Sequence, residues 1–507
     1  LFDNLDEELD GWLIKSENFQ ALNTILPKFK GKVQTIYIDP PYNTGSDEFI
    51  YMDRYRHSTW LTMMENRLSL AKELMKEDGV IFVSIGDLDP QNGESFRLQM
   101  LMSEIFEKRF GNLIWEKRHS IGSYSEKNMT EIHEYILVFG KEKARLFHNI
   151  LNSEDLKEYK ERDNLGPFKW TSLIGPSQQT KYRRPNLYYA VLYCEKEDKI
   201  VGVQWGNEER EIWHECQEDL ICIYPPNDST WLISKEKFKE YSLKGLVKVS
   251  KGKVYLKKHL YDKNGEIRGK ILKSILVRNG IDVGTNMTAT RELKDMFSDE
   301  KISSIHPKPV NLIKLLVKVS TKQDDIILDF FAGSGTTMEA VLRLNFEDFG
   351  KRKFILIETG ETFYSLILPR LKKLSYSLEW KGGKPISRIG LSIFTKYYEL
   401  EQIEDILSQI VYMYEDDYCF FAESIFKTSL KHLFLCEISS EFDSILLDIN
   451  KFSEIFGKEL DVFECVSINH GKFIKKIYKD KLILEDNYII YLNPLKAEFL
   501  KSFLWWR

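Results

Sequence analysis

The stretch Gln34-Thr35-Ile36-Tyr37-Ile38-Asp39-Pro40-Pro41-Tyr42-Asn43-Thr44-Gly45 joins a run rich in β-branched and aromatic residues to two consecutive prolines. Such a run reads as a buried strand. The prolines must stop it at Asp39, because neither offers an N–H to a ladder and each restricts the residue before it. Asp-Pro-Pro-Tyr is thereby delivered as a stiff loop at the carboxyl end of a strand, where open α/β sheets bind ligands.

These residue types suit one chemical task. The exocyclic amine of a nucleobase is a poor nucleophile because its lone pair is delocalised into the ring. Hydrogen bonds from its N–H groups to the Asp39 carboxylate and the Pro40 carbonyl would localise that pair. Tyr42 offers a flat face to a base taken out of the duplex, a contact worth on the order of 1–3 kcal/mol. The same residues also serve as a plain strand-ending turn, since Pro pairs are common loop punctuation. A second motif far downstream decides between the two readings.

Composition sets the outer bounds. A chain of 507 residues is too long for one core and implies two or three domains. It is 43% hydrophobic, 13% aromatic and 29% charged, as in soluble globular proteins, with no run near the roughly 18 apolar residues of a membrane span. Leu1-Phe2-Asp3-Asn4-Leu5-Asp6-Glu7-Glu8 is acidic where a signal peptide is basic, so cytosolic residence is the expectation. The six cysteines have no paired short spacing and do not read as a disulfide framework. His214, Cys216 and Cys222 are close in sequence but lack a fourth ligand at a plausible spacing. Ordinary buried thiols and no metal are expected. The net charge of −5 does not exclude nucleic acid, because phosphate contacts need only a local basic stripe.

Along the chain, apolar Trp12-Leu13-Ile14-Lys15 precedes a helical Phe19 to Leu26, closed by Pro27 and Gly31. Helical spacing runs from Trp60 to Met75, with Gly79 as its end, and Val80 to Ile85 reads as a strand buried on both faces. A helix near Phe96 to Phe106 and strands at Leu113–Trp115 and Tyr135–Phe139 continue the alternation of a doubly wound α/β sheet. The polar segment His119 to Thr130 between those strands is expected to be a loop that meets substrate.

From about 151 to 300 the pattern changes. Tyr182, Tyr188, Tyr189, Trp205, Trp213, Tyr224 and Trp231 are scattered among short strands. Lys253, Lys257, Lys258, Lys263, Arg268, Lys270, Lys273 and Arg278 gather near the end of the segment. The mixture suits a separate module that touches phosphates and base edges, and equally a solvated face on an inserted domain.

Alternation returns with a helix at Pro309 to Val319 and a strand at Ile326-Ile327-Leu328-Asp329. Phe330-Phe331-Ala332-Gly333-Ser334-Gly335-Thr336-Thr337 then forms a turn whose glycines let the backbone bend sharply against a ligand. After a further helix, Phe354 to Glu358 is a strand ending in an acid about twenty residues past the glycines, placed for a ribose diol. No Lys follows Gly335, so a triphosphate is excluded and a nucleoside without a phosphate chain is the expected ligand. Residues after about 379 carry no catalytic constellation. They read as an acidic helical region around Glu399 to Asp417 and strands running on to Trp506, a C-terminal α/β domain for subunit or DNA contacts or a structural appendix.

Asp-Pro-Pro-Tyr followed by Phe-x-Gly-x-Gly resembles the β-class DNA adenine-N6 methyltransferases, whose motif order is circularly permuted and whose target-recognition domain lies between the motifs. More narrowly, Leu13-Ile14-Lys15, Phe19-Gln20-Ala21-Leu22, the Asp39 loop, His133-Glu134-Tyr135, Arg184 to Tyr189, His306-Pro307-Lys308-Pro309 and Leu328 to Thr337 are similar to the modification subunit of type III restriction-modification systems. The similarity covers about residues 12 to 385.

The resemblance implies a Rossmann-like methyltransferase domain split between 1–150 and 301–378, with target recognition in 151–300. It implies S-adenosylmethionine as cofactor and double-stranded DNA as substrate. A homodimer and a separate helicase-nuclease restriction subunit are the implied protein partners, with no membrane. Asp39, Pro40, Pro41 and Tyr42 would hold the flipped adenine. Phe331, Ala332, Gly333, Ser334 and Gly335 would line the methionine side of the cofactor, with Asp329 at its amino group, Glu358 at its ribose and Lys308 at its carboxylate. The family often has Gly-Asp or Gly-Asn where this chain has Ser16-Glu17, which makes Glu17 a candidate for the adenine ring of the cofactor. Tyr135 and Phe139 are candidates for the second wall of the base pocket, with a core role as the alternative for Phe139. Phe330 stands where many relatives have Pro.

Three other functions compete. Cytosine-N4 methyltransferases more often carry Ser before the two prolines. Protein-glutamine methyltransferases place the cofactor motif first. A DNA-binding specificity subunit without catalysis would not need an intact Asp39 and Gly333.

Overall fold

All six residues of the strand that carries Asp39 are buried, and the rest of the sheet is built outward from it. In this computed structural model the described residues are 3–43, 56–86, 93–118, 131–147, 153–176, 180–206, 209–217, 219–262, 265, 269–276, 282–298, 306–400, 436–439, 444–447, 461–491 and 495–496. They fall into two units, residues 1–147 with 272–507, and residues 148–271.

The first unit contains strands β1 (Gly11–Lys15), β2 (Val33–Ile38), β3 (Met75–Ile85), β4 (Lys108–Glu116), β5 (His133–Gly140), β6 (Ile326–Asp329), β7 (Lys353–Glu358) and β8 (Thr395–Glu399). They form one sheet in the order β8-β1-β7-β6-β2-β3-β5-β4. Strands β8 to β3 in that order are parallel, and β5 runs antiparallel to both of its neighbours. The expected doubly wound α/β sheet with permuted motif order is therefore present.

Its helices include α1 (Asn18–Phe29), α2 (His57–Leu74), α3 (Ser95–Ile105), α4 (Asn286–Phe297), α5 (Val310–Ser320), α6 (Thr336–Asp348) and α7 (Leu368–Tyr376). The buried side chains of α2 are Trp60, Met64, Leu68, Ala71 and Leu74, steps of three and four that keep one face inward. They join Leu22 and Ile25 of α1 and Ile36 and Ile38 of β2 in one core. On the other face of β2, Thr35 Oγ1 lies 2.8 Å from Ser320 Oγ of α5.

Two boundaries differ from expectation. Helix α1 carries Pro27 inside its last turn and continues to Phe29, whose ring is fully buried edge-on to Trp12 at 5.0 Å. Helix α2 ends at Leu74, and Gly79 lies within β3. The β2–β3 ladder passes from Val33–Met75 to Thr35–Val80, so the intervening residues bulge outward. A Cβ on Gly79 would sit 2.9 Å from the Lys76 carbonyl oxygen, which is why the bulge takes glycine.

The described residues beyond 379, expected as a C-terminal domain, are grouped with the first unit. Strand β8 pairs with β1, and the helix Val462–His470 is tied to α1 by buried charges. Lys28 Nζ bridges Asp6 at 2.9 Å and Glu464 at 2.5 Å, and Lys396 Nζ reaches the same two acids at 2.6 and 2.5 Å. Neutral burial of so many charges requires this mutual pairing. Helix α4, expected in the inserted module, also belongs to the first unit. The acidic region past Leu400 and the polar loop His119 to Thr130 lie outside the described residues. No helix among the described residues is long and apolar enough to cross a membrane.

The second unit has two four-stranded antiparallel sheets. Leu173, Tyr189, Val191, Trp231, Phe238 and Val254 make its core, so two of the aromatics expected to face bases are structural. Tyr182 is 77% exposed, and Tyr224 stacks on Tyr188 with ring centroids 5.5 Å apart. Lys253 and Lys258 are exposed, whereas Lys257 and Lys270 are paired with Asp163 and Asp155. Lys263, Arg268 and Arg278 lie outside the described residues. Contrary to the expectation of ordinary thiols, Cys194, at the end of the strand Ala190–Cys194, and Cys216 form a disulfide with their Cα atoms 6.3 Å apart. Cys222 is a free, exposed thiol.

Candidate active site

Strands β2 and β6 are parallel neighbours, paired at Thr35–Ile327 and Ile36–Leu328. Adjacent strands lie about 4.8 Å apart, so Asp329, the last residue of β6, and Asp39, the residue after β2, emerge at the carboxyl ends of neighbouring strands. Residues separated by most of the sequence thus meet at one edge of the sheet.

On the catalytic side, Trp60 Nε1 donates to the Pro41 carbonyl at 2.9 Å and pins the proline pair to α2. Tyr42 is 9% exposed, with its hydroxyl turned inward, where its single O–H has Asp39 Oδ1 at 2.8 Å and Glu134 Oε2 at 3.1 Å as acceptors. Asn43 adopts a left-handed φ of 58° and donates to Glu94 Oε1 at 2.8 Å. Thr44 and Gly45 lie outside the described residues.

Lys308, expected at the cofactor carboxylate, is placed on the catalytic loop. Its Nζ reaches Asp39 Oδ1 and Oδ2 at 2.9 and 2.8 Å, the Tyr42 hydroxyl at 3.0 Å and Glu134 Oε2 at 3.3 Å. Burial pushes the Asp39 carboxyl up, and Lys308 pulls it part of the way back. Glu134 is held low despite its burial, because Lys308 and Lys117 both face it. Among these four side chains Asp39 is the most open, 25% exposed against 10% for Lys308 and 8% for Glu134.

On the cofactor side, Gly333 and Gly335 have φ of 53° and 77°, conformations in which a side chain is strained. A Cβ at Gly333 would meet nothing nearer than the Phe331 carbonyl oxygen at 3.9 Å, so space for a ligand lies beside the turn. Asp329 accepts from Phe331 N at 3.1 Å and from Thr337 Oγ1 at 2.5 Å, and burial raises its carboxyl to about 7. Glu358 Oε2 accepts from Gly333 N, and its Oε1 from Gly360 N, each at 2.7 Å; burial raises this carboxyl too. Ala332 N donates to the Ile357 carbonyl, and Ser334 is buried under the turn.

Two further residues that hold the turn, one charged and one a neutral amide, were not singled out by the sequence. Arg370 of α7 is 2% exposed; it donates to the Ser334 carbonyl at 2.8 Å and to Glu339 Oε2 at 2.6 Å. Asn18 donates to the Phe330 carbonyl at 2.9 Å and accepts from Arg67. Glu17 caps α1 through Gln20 N at 3.0 Å and pairs with Arg67. Tyr135 is half-buried beside His133, and Phe139 is fully buried in the core.

A family model described as DNA methylase matches residues 33–369, a span that contains both loops. The chain is similar to the EcoPI Mod subunit of the type III restriction-modification enzyme of Escherichia phage P1. It is 33% identical over 414 residues, covering 73% of this chain and 60% of the relative. The EcoP15I Mod subunit of Escherichia coli is 29% identical over 402 residues, covering 69% and 58%. The type II methyltransferase M.KpnI of Klebsiella pneumoniae is 31% identical over 357 residues, covering 67% and 78%. This chain thus spans about three fifths of the length of the type III relatives it matches.

Proposed function

The chain belongs to the N6/N4-type DNA methylase family, and from that premise we propose that it methylates adenine N6 in double-stranded DNA as the modification and recognition subunit of a type III system. S-adenosylmethionine supplies an electrophilic methyl group on a sulfonium. The observation that carries the reading is the placement of Asp39 and the Gly333 turn at the carboxyl ends of adjacent parallel strands.

The residue types at this edge of the sheet suit such a cofactor. The open side of the Gly333 turn would accept its methionine part, the Glu358 carboxylate would accept from its ribose diol, and ionised Asp329 would attract its amino group. On the other side, Asp39 and the Pro40 carbonyl accept the two N–H bonds of the base amine, so its lone pair points outward. With the donor bound, that pair would form the N–CH₃ bond as the donor's S–CH₃ bond breaks with its electrons staying on sulfur, and the surplus N6 proton would leave past Asp39 to solvent. The chain's contribution is preorganisation and close approach. Asp rather than Ser before the prolines favours adenine over cytosine.

In this reading residues 148–271 recognise the target sequence, with Tyr182 and the exposed lysines available to DNA. A second copy of the chain and a separate restriction subunit are the protein partners, in the cytoplasm. The test is to incubate the protein with isotopically labelled S-adenosylmethionine and plasmid DNA free of methylated bases, then identify the modified nucleoside by mass spectrometry. N6-methyladenine is expected. N4-methylcytosine would move the assignment to the other amine, and no label in DNA would overturn it.

A further inference from the structure

We propose that Lys308 and Glu134 are positioning residues for methyl transfer, holding Asp39 and Tyr42 in their working arrangement, and that Lys308 does not bind the cofactor. The inference rests on the methyltransferase reading above and assigns a residue pair to that site.

An ammonium group has three N–H donors. Those of Lys308 meet Asp39, the Tyr42 hydroxyl oxygen and Glu134, and with 10% exposure the group leaves no donor for a cofactor carboxylate. Its place is prepared by the backbone: Pro307 and Pro309 bracket Lys308, and Pro309 caps α5, so the residue is confined to extended conformations at a helix start. Glu134 comes from β5, the strand antiparallel to β3, and closes the ring by receiving both Lys308 and the Tyr42 hydroxyl. Gly86 keeps this corner tight, since a Cβ there would stand 3.2 Å from the Tyr42 ring and 3.3 Å from Glu134.

Asp39 is the ring member that faces outward, so the ring presents its carboxylate to the base and grips it from behind. The groups facing Asp39 are Lys308, Glu134, Tyr42, Tyr37 on β2 and Asp329 on β6, with Lys117, the residue after β4, facing Glu134. Lys308 is the cation in direct contact with Asp39. Without it the carboxylate would stand beside Glu134 and hold a proton at higher pH, losing the acceptor that the base amine needs.

The experiment compares wild type, Lys308→Met, Lys308→Arg and the double variant Lys308→Met/Glu134→Gln, using unmethylated plasmid DNA and S-adenosylmethionine. In Lys308→Met the expected kcat falls about 100-fold or more, cofactor Kd by calorimetry stays within about threefold, and the acid limb of the rate profile moves up by about one pH unit. Glu134→Gln in the double variant removes the second negative charge and restores part of the rate. Lys308→Arg keeps the charge, so its acid limb stays in place even if Lys308→Met fails to fold. A cofactor Kd raised about tenfold with kcat retained, in either single variant, would place Lys308 at the cofactor and overturn the inference. An active wild type with an unaltered Lys308→Met pH profile overturns it alone, whereas an inactive wild type overturns the functional reading as well.

Discussion

The backbone N–H of Gly333 donates to Oε2 of Glu358 at 2.7 Å, while the other oxygen of the same carboxylate takes the N–H of Gly360. One acid at the end of β7 therefore fastens two loops, the glycine turn after β6 and its own. Glu358→Gln would set an amide NH₂ against one of those N–H groups. Loss of a charged hydrogen bond costs about 1.5–3 kcal/mol, so cofactor Kd should rise about ten- to a hundredfold by calorimetry. An unchanged Kd would show that the turn holds its shape without the acid.

Asp39→Ala removes the outward carboxylate and leaves the glycine turn untouched. Methyl transfer to DNA should drop by a factor of about 10³ or more, with cofactor affinity unchanged within a few-fold. Full activity in this variant would remove Asp39 from the chemistry.

Burial lifts the Asp329 carboxyl to about 7, well above the usual value of 3.8. Two consequences of opposite sense follow. The unfolded carboxyl ionises near 3.8 while the folded one keeps its proton to about 7, so this group lowers apoprotein stability as pH rises between those values, with no further change above. Cofactor affinity should rise over the upper part of that window, because a cationic amino group prefers the ionised acid. Thermal melts and calorimetry from pH 5 to about 7.5 read the two trends, and Asp329→Asn should flatten both. Equal slopes in variant and wild type would assign the dependence to another group.

Arg370 and Glu339 are 2% and 3% exposed, and Arg370 also supports the Ser334 carbonyl. Arg370→Met leaves a buried carboxylate with Arg343 as its remaining partner and a buried carbonyl without its donor. Breaking a buried pair from one side costs about 3–5 kcal/mol, which should appear as a lower urea midpoint and weaker cofactor binding together. A loss of stability alone would separate the arginine from the cofactor turn.

Much of this arrangement was legible along the chain because it depends on local physics. Two prolines end a strand wherever it lies, and glycines permit positive φ in any turn, so Asp39, Tyr42, Gly333 and Gly335 stood out. Gly79 misled, since a glycine ends a helix in one setting and fills a bulge in another, and only the β2–β3 register separates the two. Glu134 drew attention only as part of a family motif and Arg370 not at all, since an acid on a strand or a base in a leucine-rich helix reads the same exposed or buried. Cys194 and Cys216 showed no signal either, because their spacing matches no short motif and their pairing follows from the path of the chain.

By itself the amino-acid sequence determined the alternating α/β architecture, the two loops and the kind of chemistry their residue types permit, all properties of short stretches with definite backbone preferences. The tertiary structure alone decided which strands are neighbours, and hence that Asp39 and Asp329 emerge at the same edge of the sheet and that Lys308 grips Asp39. Those facts depend on hydrogen-bond partners and burial between residues hundreds of positions apart, which no local preference encodes.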